Sequence, residues 1–236
     1  MQLPFFFEEN PPVNDELILS EESSKHVVQV LRMRESGQLL ITNGKGQVLT
    51  AFIIAADKRK TTVKITGKTF DPRRTGKVSI AVSLIKNKSR FEWFLEKATE
   101  IGVSEIIPLI CQRTEKQHFK YERMNAILVS AMLQSQQAWL PIVQEPLHFE
   151  DLLKYQHSHK FIAHCIEGEK SRLNRELTGN DNSLRNDLVL IGPEGDFTKE
   201  EVKAAIQHNF IPVSLGDTRL RTETAALVAA VLLLNK

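Results

Sequence analysis

Two short stretches near the C-terminus place glycines, carboxylates and hydroxyl groups where a ligand could bind. LIGPEGDFTKEE (190–201) and LGDTRLRTETAA (215–226) each lead from an apolar segment through a polar loop containing glycine into a helical segment. Glycine lets the backbone adopt positive φ or approach a ligand closely, and the free amides at the start of a helix can donate hydrogen bonds. The two stretches therefore predict a binding site formed by two loops.

The carboxylates of the first loop limit the class of ligand. An anionic phosphate there would meet the like charge of Glu194 and Asp196, so a cationic or neutral ligand fits better. The dinucleotide fingerprint GxGxxG, the P-loop GxxxxGK[ST] and the hydrolase elbow GxSxG do not occur in the sequence. The sequence therefore does not favour a Rossmann dehydrogenase, a P-loop NTPase or a Ser/His/Asp hydrolase.

Metal chemistry is not predicted. No HExxH or CxxC spacing is present among the residues that could bind zinc, which are His157, His159, His164, Cys111 and Cys165. We interpret the histidines as surface residues and the cysteines as small core residues.

The whole chain has the composition of a globular protein. Its 236 residues are 42% hydrophobic and 25% charged, which argues against disorder and suits one large or two ordinary domains. No segment reaches the roughly 18 apolar residues of a membrane span, and the N-terminal MQLPFFFEEN lacks the basic leader of a signal peptide. A cytoplasmic protein is therefore expected.

Basic residues are grouped although the formal net charge is only +2. The groups are Lys25, Arg32 and Arg34; Lys58, Arg59 and Lys60; Arg73, Arg74 and Lys77; and Lys86, Lys88 and Arg90. Such grouping permits a nucleic-acid-binding face, although solvated loops explain any single group equally well.

The first part of the chain has the pattern of a small β-barrel with one helix. Strands are predicted at 17–19, 38–42, 47–55 and 61–66, with a hairpin turn at 43–46 and a helix that follows Ser20. The polar segment from Asp71 to Gly76 contains proline and glycine and is typical of a linker. We therefore predict domains at 1–72 and 73–236.

The second part alternates strands with helices. Strands are predicted at 78–85, 106–110, 160–163, 187–191 and 211–215. Helices are predicted from a cap at Ser89 to Gly102, over 121–138, after the capping box of Thr198 and Glu201, and from near Thr222. This alternation predicts an α/β domain with a mostly parallel sheet, whose ligands bind at the carboxyl ends of the strands.

The two loops occur together with other stretches that resemble one family. With VLRM (30–33), KATEIGV (97–103) and the helix at 131–137, they resemble the bacterial 16S ribosomal RNA uridine N3-methyltransferases over essentially the whole chain. That family belongs to the SPOUT methyltransferases. The resemblance implies an α/β C-terminal domain tied in a trefoil knot, an N-terminal PUA-like β-barrel, and a homodimer. It further implies S-adenosylmethionine as cofactor and 16S ribosomal RNA in the assembled small subunit as partner.

The resemblance also implies roles for individual residues. The cofactor-binding residues would be His164, Ile191, Gly192, Pro193, Glu194, Gly195, Leu215, Gly216, Leu220 and Thr222. Arg221 would stabilise the negative charge that develops on the uridine carbonyl oxygens. Glu223 would accept the N3 proton or, as the simpler alternative, cap the last helix and fix Arg221.

Residues that would contact the RNA backbone are Arg32, Arg34, Lys86, Lys88 and Arg90. For Arg32 and Arg34, a solvated helix end is the alternative. The final helix and the predicted helix from Met124 to Trp139 are candidates for the dimer interface, although a role in the core is an equally good interpretation of each.

The sequence departs from the family pattern at several positions. The family usually has glycine at Asp196, arginine at Thr218, a branched apolar residue at Arg219 and arginine near Gln137, and the arginine common around Leu3 to Phe6 is absent. Two other functions therefore stay open. One is a SPOUT enzyme that methylates a ribose 2′-hydroxyl or a different RNA, and the other is a non-catalytic RNA-binding protein of the same fold.

Overall fold

The computed structural model describes residues 3–11, 15–72, 76–115, 118–177 and 185–235. They form two compact units: the first contains the described residues up to 72 together with Met132–Leu140, and the second contains the others. The predicted linker includes residues 73–75, which lie outside the described residues, as do Arg73 and Arg74 of one basic group.

The first unit contains a five-stranded sheet in the order β1-β3-β4-β5-β2. The strands are β1 (Phe5–Phe7), β2 (Glu16–Ile18), β3 (Gln38–Thr42), β4 (Gln47–Ala55) and β5 (Thr62–Phe70). β3 and β4 pair antiparallel, as the hairpin prediction requires, whereas β1 was not predicted and pairs parallel to β3. Among the described residues β1 and β2 are edge strands, so the sheet is open rather than a closed barrel.

One helical segment contributes to the core of this sheet. The Ser20 side chain accepts a hydrogen bond from the Ser23 amide and caps α1 (Glu21–Lys25), which continues as a π-helical turn over His26–Val30. The fully buried Val27 packs with the inward residues of the strands. The helix predicted after Ser20 is therefore confirmed in a shorter form.

The segment Met132–Leu140 completes the first unit. The ring of Trp139 packs so closely on Gly46, which has φ +88°, that a Cβ there would lie 2.6 Å from the ring. Trp139 Nε1 donates to the Asp71 carbonyl at 2.9 Å, and Thr42 Oγ1 donates to the Ala138 carbonyl at 3.1 Å. Glycine is therefore required at position 46 by both its conformation and its contact.

The second unit is built on a parallel sheet in which β11-β13-β10-β12-β6-β7-β8 are neighbours and β9 also pairs with β7. The strands are β6 (Lys77–Ser83), β7 (Glu105–Ile110), β8 (Ile142–Val143), β9 (Leu147–His148), β10 (His159–Ala163), β11 (Ser171–Arg172), β12 (Asn186–Ile191) and β13 (Ile211–Ser214). β6 and β12 are largely apolar and buried, as is typical of central strands in a parallel sheet that is covered on both faces.

The helices of this unit are α2 (Lys88–Ile101), α3 (Tyr121–Gln134), α4 (Phe149–Leu152), α5 (Leu173–Glu176), α6 (Lys199–Gln207) and α7 (Thr222–Leu234). The capping box of Thr198 and Glu201 is confirmed at the start of α6. α2 ends at Gly102 with φ +91°, as predicted, but its N-cap is Asn87 and not Ser89. The Asn87 side chain accepts from the Ser89 amide, so the predicted cap donates to the real one.

The chain follows an unusual path after β13. β13 lies two strands away from β12 and three from β6, yet α7 returns to pack on α2, β6 and β12. α3 ends at Gln134, before the predicted end at 138, since Gln136 has a left-handed φ of +53° and the Gln137 amide donates back to the Met132 carbonyl at 3.0 Å. Within the described residues, no helix has both the length and the apolar character needed to cross a membrane.

Candidate ligand-binding site

Three loops at the carboxyl ends of neighbouring parallel strands form one pocket of about 620 Å³. They are the β10 loop (164–170), the β12 loop (192–197) and the β13 loop (215–221). The start of α7 closes the same cavity. Its size is in the range of small-molecule sites, and its place at the strand ends is where parallel sheets bind ligands.

The β12 loop is a tight turn with close contacts at both of its glycines. The Asp196 amide donates to the Pro193 carbonyl at 2.9 Å, and Asp196 itself has φ +62°. A Cβ at Gly192 would lie 3.0 Å from the ring of Phe197 and 3.2 Å from its backbone nitrogen, so a larger residue would be crowded there. The Gly195 carbonyl accepts from Nη1 of an arginine in the neighbouring loop after β7, Arg113, at 2.6 Å.

The two carboxylates of the β12 loop connect it to the loops on either side. Glu194 Oε1 accepts from the Lys86 amide at 3.2 Å, in the loop after β6. Asp196 Oδ2 accepts from the Cys165 amide at 2.8 Å, in the β10 loop. The polar turn noticed in the sequence is therefore a link between three loops as well as a wall of the pocket.

The β10 loop contains a histidine without hydrogen-bond partners. Both ring nitrogens of His164 are buried and have no partner among the described residues. Burial lowers the pKa of His164, and the nearby Lys170 ammonium lowers that pKa further. Lys170 Nζ donates to the carbonyls of His164 and Ile166 at 3.1 and 2.7 Å. The lowered pKa favours the neutral ring of His164, which lines the pocket.

The β13 loop joins the start of α7 to the β12 loop. Thr222 Oγ1 donates to the Gly192 carbonyl at 3.1 Å, and both groups are buried. Arg221 is the N-cap residue of α7, and its side chain is exposed at the pocket. Arg172 Nη2 contacts both carboxylate oxygens of Asp217, at 2.7 and 2.9 Å, which links the loop to β11.

Glu223 lies in the first turn of α7 and faces an arginine of α2. Only 9% of its side chain is exposed, and its Oε1 is 3.7 Å from Nε of Arg90. The sequence suggested that Glu223 fixes Arg221, but the partner recorded in the structure is Arg90. An acid with an arginine partner and a second arginine, Arg221, therefore lie at one end of the pocket.

Most of the residues expected to bind the cofactor line this pocket. They are His164, Ile191, Gly192, Pro193, Glu194, Leu215, Gly216, Leu220 and Thr222, with the two expected catalytic residues Arg221 and Glu223 beside them. Gly195 does not line it and instead contacts Arg113. Of the residues expected to bind RNA, only Arg90 lines the pocket.

The other expected RNA contacts are placed as follows. Arg32 and Arg34 are exposed in the first unit, and Arg32 has φ +52° where it follows the π-helical turn. Lys88 is exposed at the start of α2. Lys86 Nζ pairs with Glu115 at 2.8 Å, and this hydrogen bond raises the pKa of Lys86.

Two interpretations of single residues were wrong. Cys111 is buried as predicted, but Cys165 is exposed and lines the pocket. The histidines are not free surface residues, because His159 Nδ1 lies 2.8 Å from the fully buried Asp187. Lys170 and Asp217 also line the pocket but were not predicted as site residues, although Asp217 lies within the second predicted loop. Among the described residues no group of His, Cys, Asp and Glu is arranged to hold a metal ion.

The structure thus combines a parallel α/β unit that has a ligand pocket at its strand ends with a small β unit. The chain belongs to the RNA methyltransferase domain family, whose model matches residues 72–234. A model of the RNA methyltransferase PUA domain matches residues 19–66.

Individual relatives agree with this assignment. A Ribosomal RNA small subunit methyltransferase E from Rickettsia conorii is 28% identical and covers 92% of this chain and 88% of its own. A probable rRNA-methyltransferase from Porphyromonas gingivalis is 33% identical with a TM-score of 0.90, covering 98% of this chain and 97% of its own. A Ribosomal RNA small subunit methyltransferase E from Neisseria gonorrhoeae, solved bound to S-adenosyl methionine, is 27% identical with a TM-score of 0.86, covering 99% and 98%.

These matches confirm the predicted fold class, an α/β methyltransferase domain of the SPOUT type with an N-terminal PUA-like domain. The N-terminal sheet differs from the predicted small β-barrel in being open and in including β1, which was not predicted.

Proposed function

We propose that this protein transfers a methyl group from S-adenosylmethionine to N3 of a uridine in 16S ribosomal RNA of the small ribosomal subunit. The observation that carries the proposal is the convergence of the β10, β12 and β13 loops on one pocket that ends at Arg221 and Glu223. Similarity over nearly the whole chain to proteins named for small-subunit ribosomal RNA methylation supports the substrate.

The pocket has the chemistry that this cofactor needs. S-adenosylmethionine has a sulfonium cation, an ammonium and a carboxylate, so it needs both signs of charge nearby. The pocket supplies carboxylates from Glu194, Asp217 and Glu223 and a positive charge from Lys170. His164 also lines the pocket, and a neutral imidazole can offer a ligand one hydrogen-bond donor and one acceptor.

The protein side chains would prepare the nucleophile. When bound, the cofactor supplies an activated methyl group, but N3 of uridine is a poor nucleophile while it holds its proton. Arg221 would stabilise negative charge on the uridine carbonyl oxygens, since its exposed guanidinium lies at the pocket. Glu223 would accept the N3 proton or orient Arg90, whose Nε lies 3.7 Å from its Oε1.

RNA would be held mainly by electrostatics. We assign backbone contacts to Arg32, Arg34, Lys86, Lys88 and Arg90, because phosphate pairing by Lys and Arg supplies most affinity that does not depend on sequence. Lys86 and Arg90 already have acidic partners, so RNA phosphate would compete with Glu115 and Glu223 for them.

The working form would be a homodimer in the cytoplasm, where ribosomal RNA is modified. α7 is our candidate for the interface, because it is apolar on nearly all sides and its Val231 remains 39% exposed. An apolar helix face of this kind is stabilised by a partner that excludes water.

The direct test is to identify the methylated nucleoside. Purified protein would be incubated with methyl-labelled S-adenosylmethionine and small subunits from cells that lack the protein, and the RNA would then be digested to nucleosides. We expect label in 3-methyluridine and none when the subunits come from wild-type cells. Label in a 2′-O-methyl nucleoside would favour the ribose alternative, and absence of both cofactor binding and label would favour the non-catalytic one.

A further inference from the structure

Asp196 has a backbone conformation that disfavours its own side chain. Its φ of +62° lies in the left-handed region, which costs most L-residues roughly 1–2 kcal/mol and which Asp and Asn tolerate better than others. Glycine would adopt this conformation at no steric cost. An aspartate here therefore needs a compensating role for its carboxylate.

The carboxylate accepts two backbone hydrogen bonds through two different oxygens. Oδ1 accepts from the Phe197 amide at 2.9 Å, and Oδ2 accepts from the Cys165 amide at 2.8 Å. The first bond is local to the β12 loop, whereas the second reaches the β10 loop, 31 residues away in the chain. Hydrogen bonds to an ionised acceptor are about twice as strong as neutral ones. Asp196 thus joins two walls of the pocket.

The β10 loop depends on side chains for its shape. Residues 164–168 are outside any strand or helix, and Cys165 is exposed. Lys170 holds the carbonyls of His164 and Ile166, while Asp196 holds the amide of Cys165. A cation thus holds two carbonyls and an anion holds an amide, and these contacts place His164 in the pocket.

We infer that Asp196 is a positioning residue that fixes the β10 loop in the shape that binds the cofactor. This inference rests on the proposed function. Fixing a loop before binding removes the cost of ordering it on binding, so affinity rises without a direct contact to the ligand. The competing explanation is that Asp196 attracts the positive charge of the cofactor directly.

Two substitutions separate these explanations. Asn has nearly the same shape and tolerates the same backbone conformation, but it has one acceptor oxygen in place of two. Gly keeps the backbone conformation and removes both acceptors. If positioning dominates, cofactor affinity should fall in the order Asp, Asn, Gly. If charge dominates, Asp196→Asn and Asp196→Gly should lose affinity equally.

A second comparison uses S-adenosylhomocysteine, which lacks the sulfonium charge. The loop explanation predicts the same loss of affinity for both compounds, whereas direct attraction predicts a larger loss for S-adenosylmethionine.

The matched control is Asp57→Gly in the first unit. The Asp57 carboxylate also accepts from two backbone amides, those of Arg59 and Lys60, but it is not among the pocket-lining residues.

The experiment is calorimetric titration of the wild type and the three variants with both compounds, together with thermal unfolding and hydrogen exchange. For Asp196→Gly we expect about tenfold weaker binding of both compounds, roughly 1.4 kcal/mol. We expect a melting temperature within about 4 °C of wild type, and faster exchange of the amides at 164–168. In turnover, the KM for the cofactor should rise more than kcat falls.

Some results would overturn the inference alone. These are unchanged affinity in Asp196→Gly, unchanged exchange at 164–168, or a loss confined to S-adenosylmethionine. If the wild type itself bound neither compound, the proposed function would fail and the inference with it.

Discussion

Nε of Arg90 lies 3.7 Å from Oε1 of Glu223, although the sequence assigned these two residues to different tasks, RNA binding and catalysis. Arg90 belongs to α2 and Glu223 to the first turn of α7, and both line the pocket. The arginine that was expected to hold RNA therefore also faces the acid that was expected to accept a proton. The residue proposed to bind RNA and the residue proposed to accept the proton therefore form one ion pair.

This pair predicts that substitutions of Arg90 and Glu223 are not independent. Arg90→Ala should lower kcat about tenfold and Glu223→Gln about 100-fold, and the double variant should be no slower than Glu223→Gln because the same interaction is lost. Turnover at saturating cofactor and RNA measures this. If the kcat losses of the two single variants multiplied in the double variant, Arg90 and Glu223 would act independently and their ion pair would have no role in turnover. The control is Arg123→Ala on α3, which breaks the 3.0 Å ion pair with Glu92 of α2, the helix that also contains Arg90. This variant should keep the wild-type kcat.

Arg221 and Arg219 allow a comparison of neighbouring exposed arginines. Arg221→Ala should lower kcat at least about 100-fold, as expected when a group that stabilises charge in the transition state is removed. Its cofactor affinity should stay within about tenfold of wild type, or roughly 1.4 kcal/mol. Arg219→Ala should have a smaller effect on kcat, since Arg219 is not at the helix start. Equal losses of affinity and rate in Arg221→Ala would contradict the role.

The hydrogen bond from Thr222 to Gly192 predicts a stability effect. Thr222→Val removes the hydroxyl and leaves the buried Gly192 carbonyl without this donor, so the free energy of unfolding should fall by about 1–2 kcal/mol. Thr222→Ser keeps the hydroxyl and should recover most of the loss. Denaturant unfolding of the three proteins measures the difference, and equal stability of the Val and Ser variants would show that the hydroxyl contributes little.

The buried His164 predicts a dependence of stability on pH. Burial lowers the pKa of His164 in the folded state, so folding favours the neutral ring. This contribution to the free energy of unfolding is fully present above the pKa of the unfolded state, about 6.5. It is lost as the pH falls through the lower pKa of the folded state. His164→Gln should therefore lose less stability than wild type between pH 7 and pH 5 in denaturant unfolding. Burial also lowers the pKa of His157, so His157→Gln should show the same sign.

Local features could be predicted because the residues that form each of them lie close together in the chain. The capping box of Thr198 and Glu201 spans one turn, and the left-handed end of α2 at Gly102 requires only a glycine. β1 was missed because three consecutive phenylalanines show no alternation and because its parallel partner begins at Gln38. Pairing between distant segments leaves no local pattern to recognise.

The position of the candidate site could be predicted from the sequence, but the hydrogen bonds that connect its loops could not. Glycines and capping residues indicated that the loops after β12 and β13 bind a ligand, and both line the pocket. The hydrogen bonds from the Cys165 amide to Asp196 and from Arg113 to the Gly195 carbonyl exist because β10 and β7 place the two donors beside the β12 loop. Such bonds depend on strand order, which the residues themselves do not encode locally.

The packing of Trp139 on Gly46 limits how this chain can be divided. The N-terminal unit takes part of its interior from residues that the ribosome makes about halfway through the chain. A fragment ending at residue 72 would contain the bare backbone at Gly46 but not the indole that covers it. The RNA-binding unit is therefore not a detachable module, and it can finish folding only after much of the catalytic unit has been synthesised.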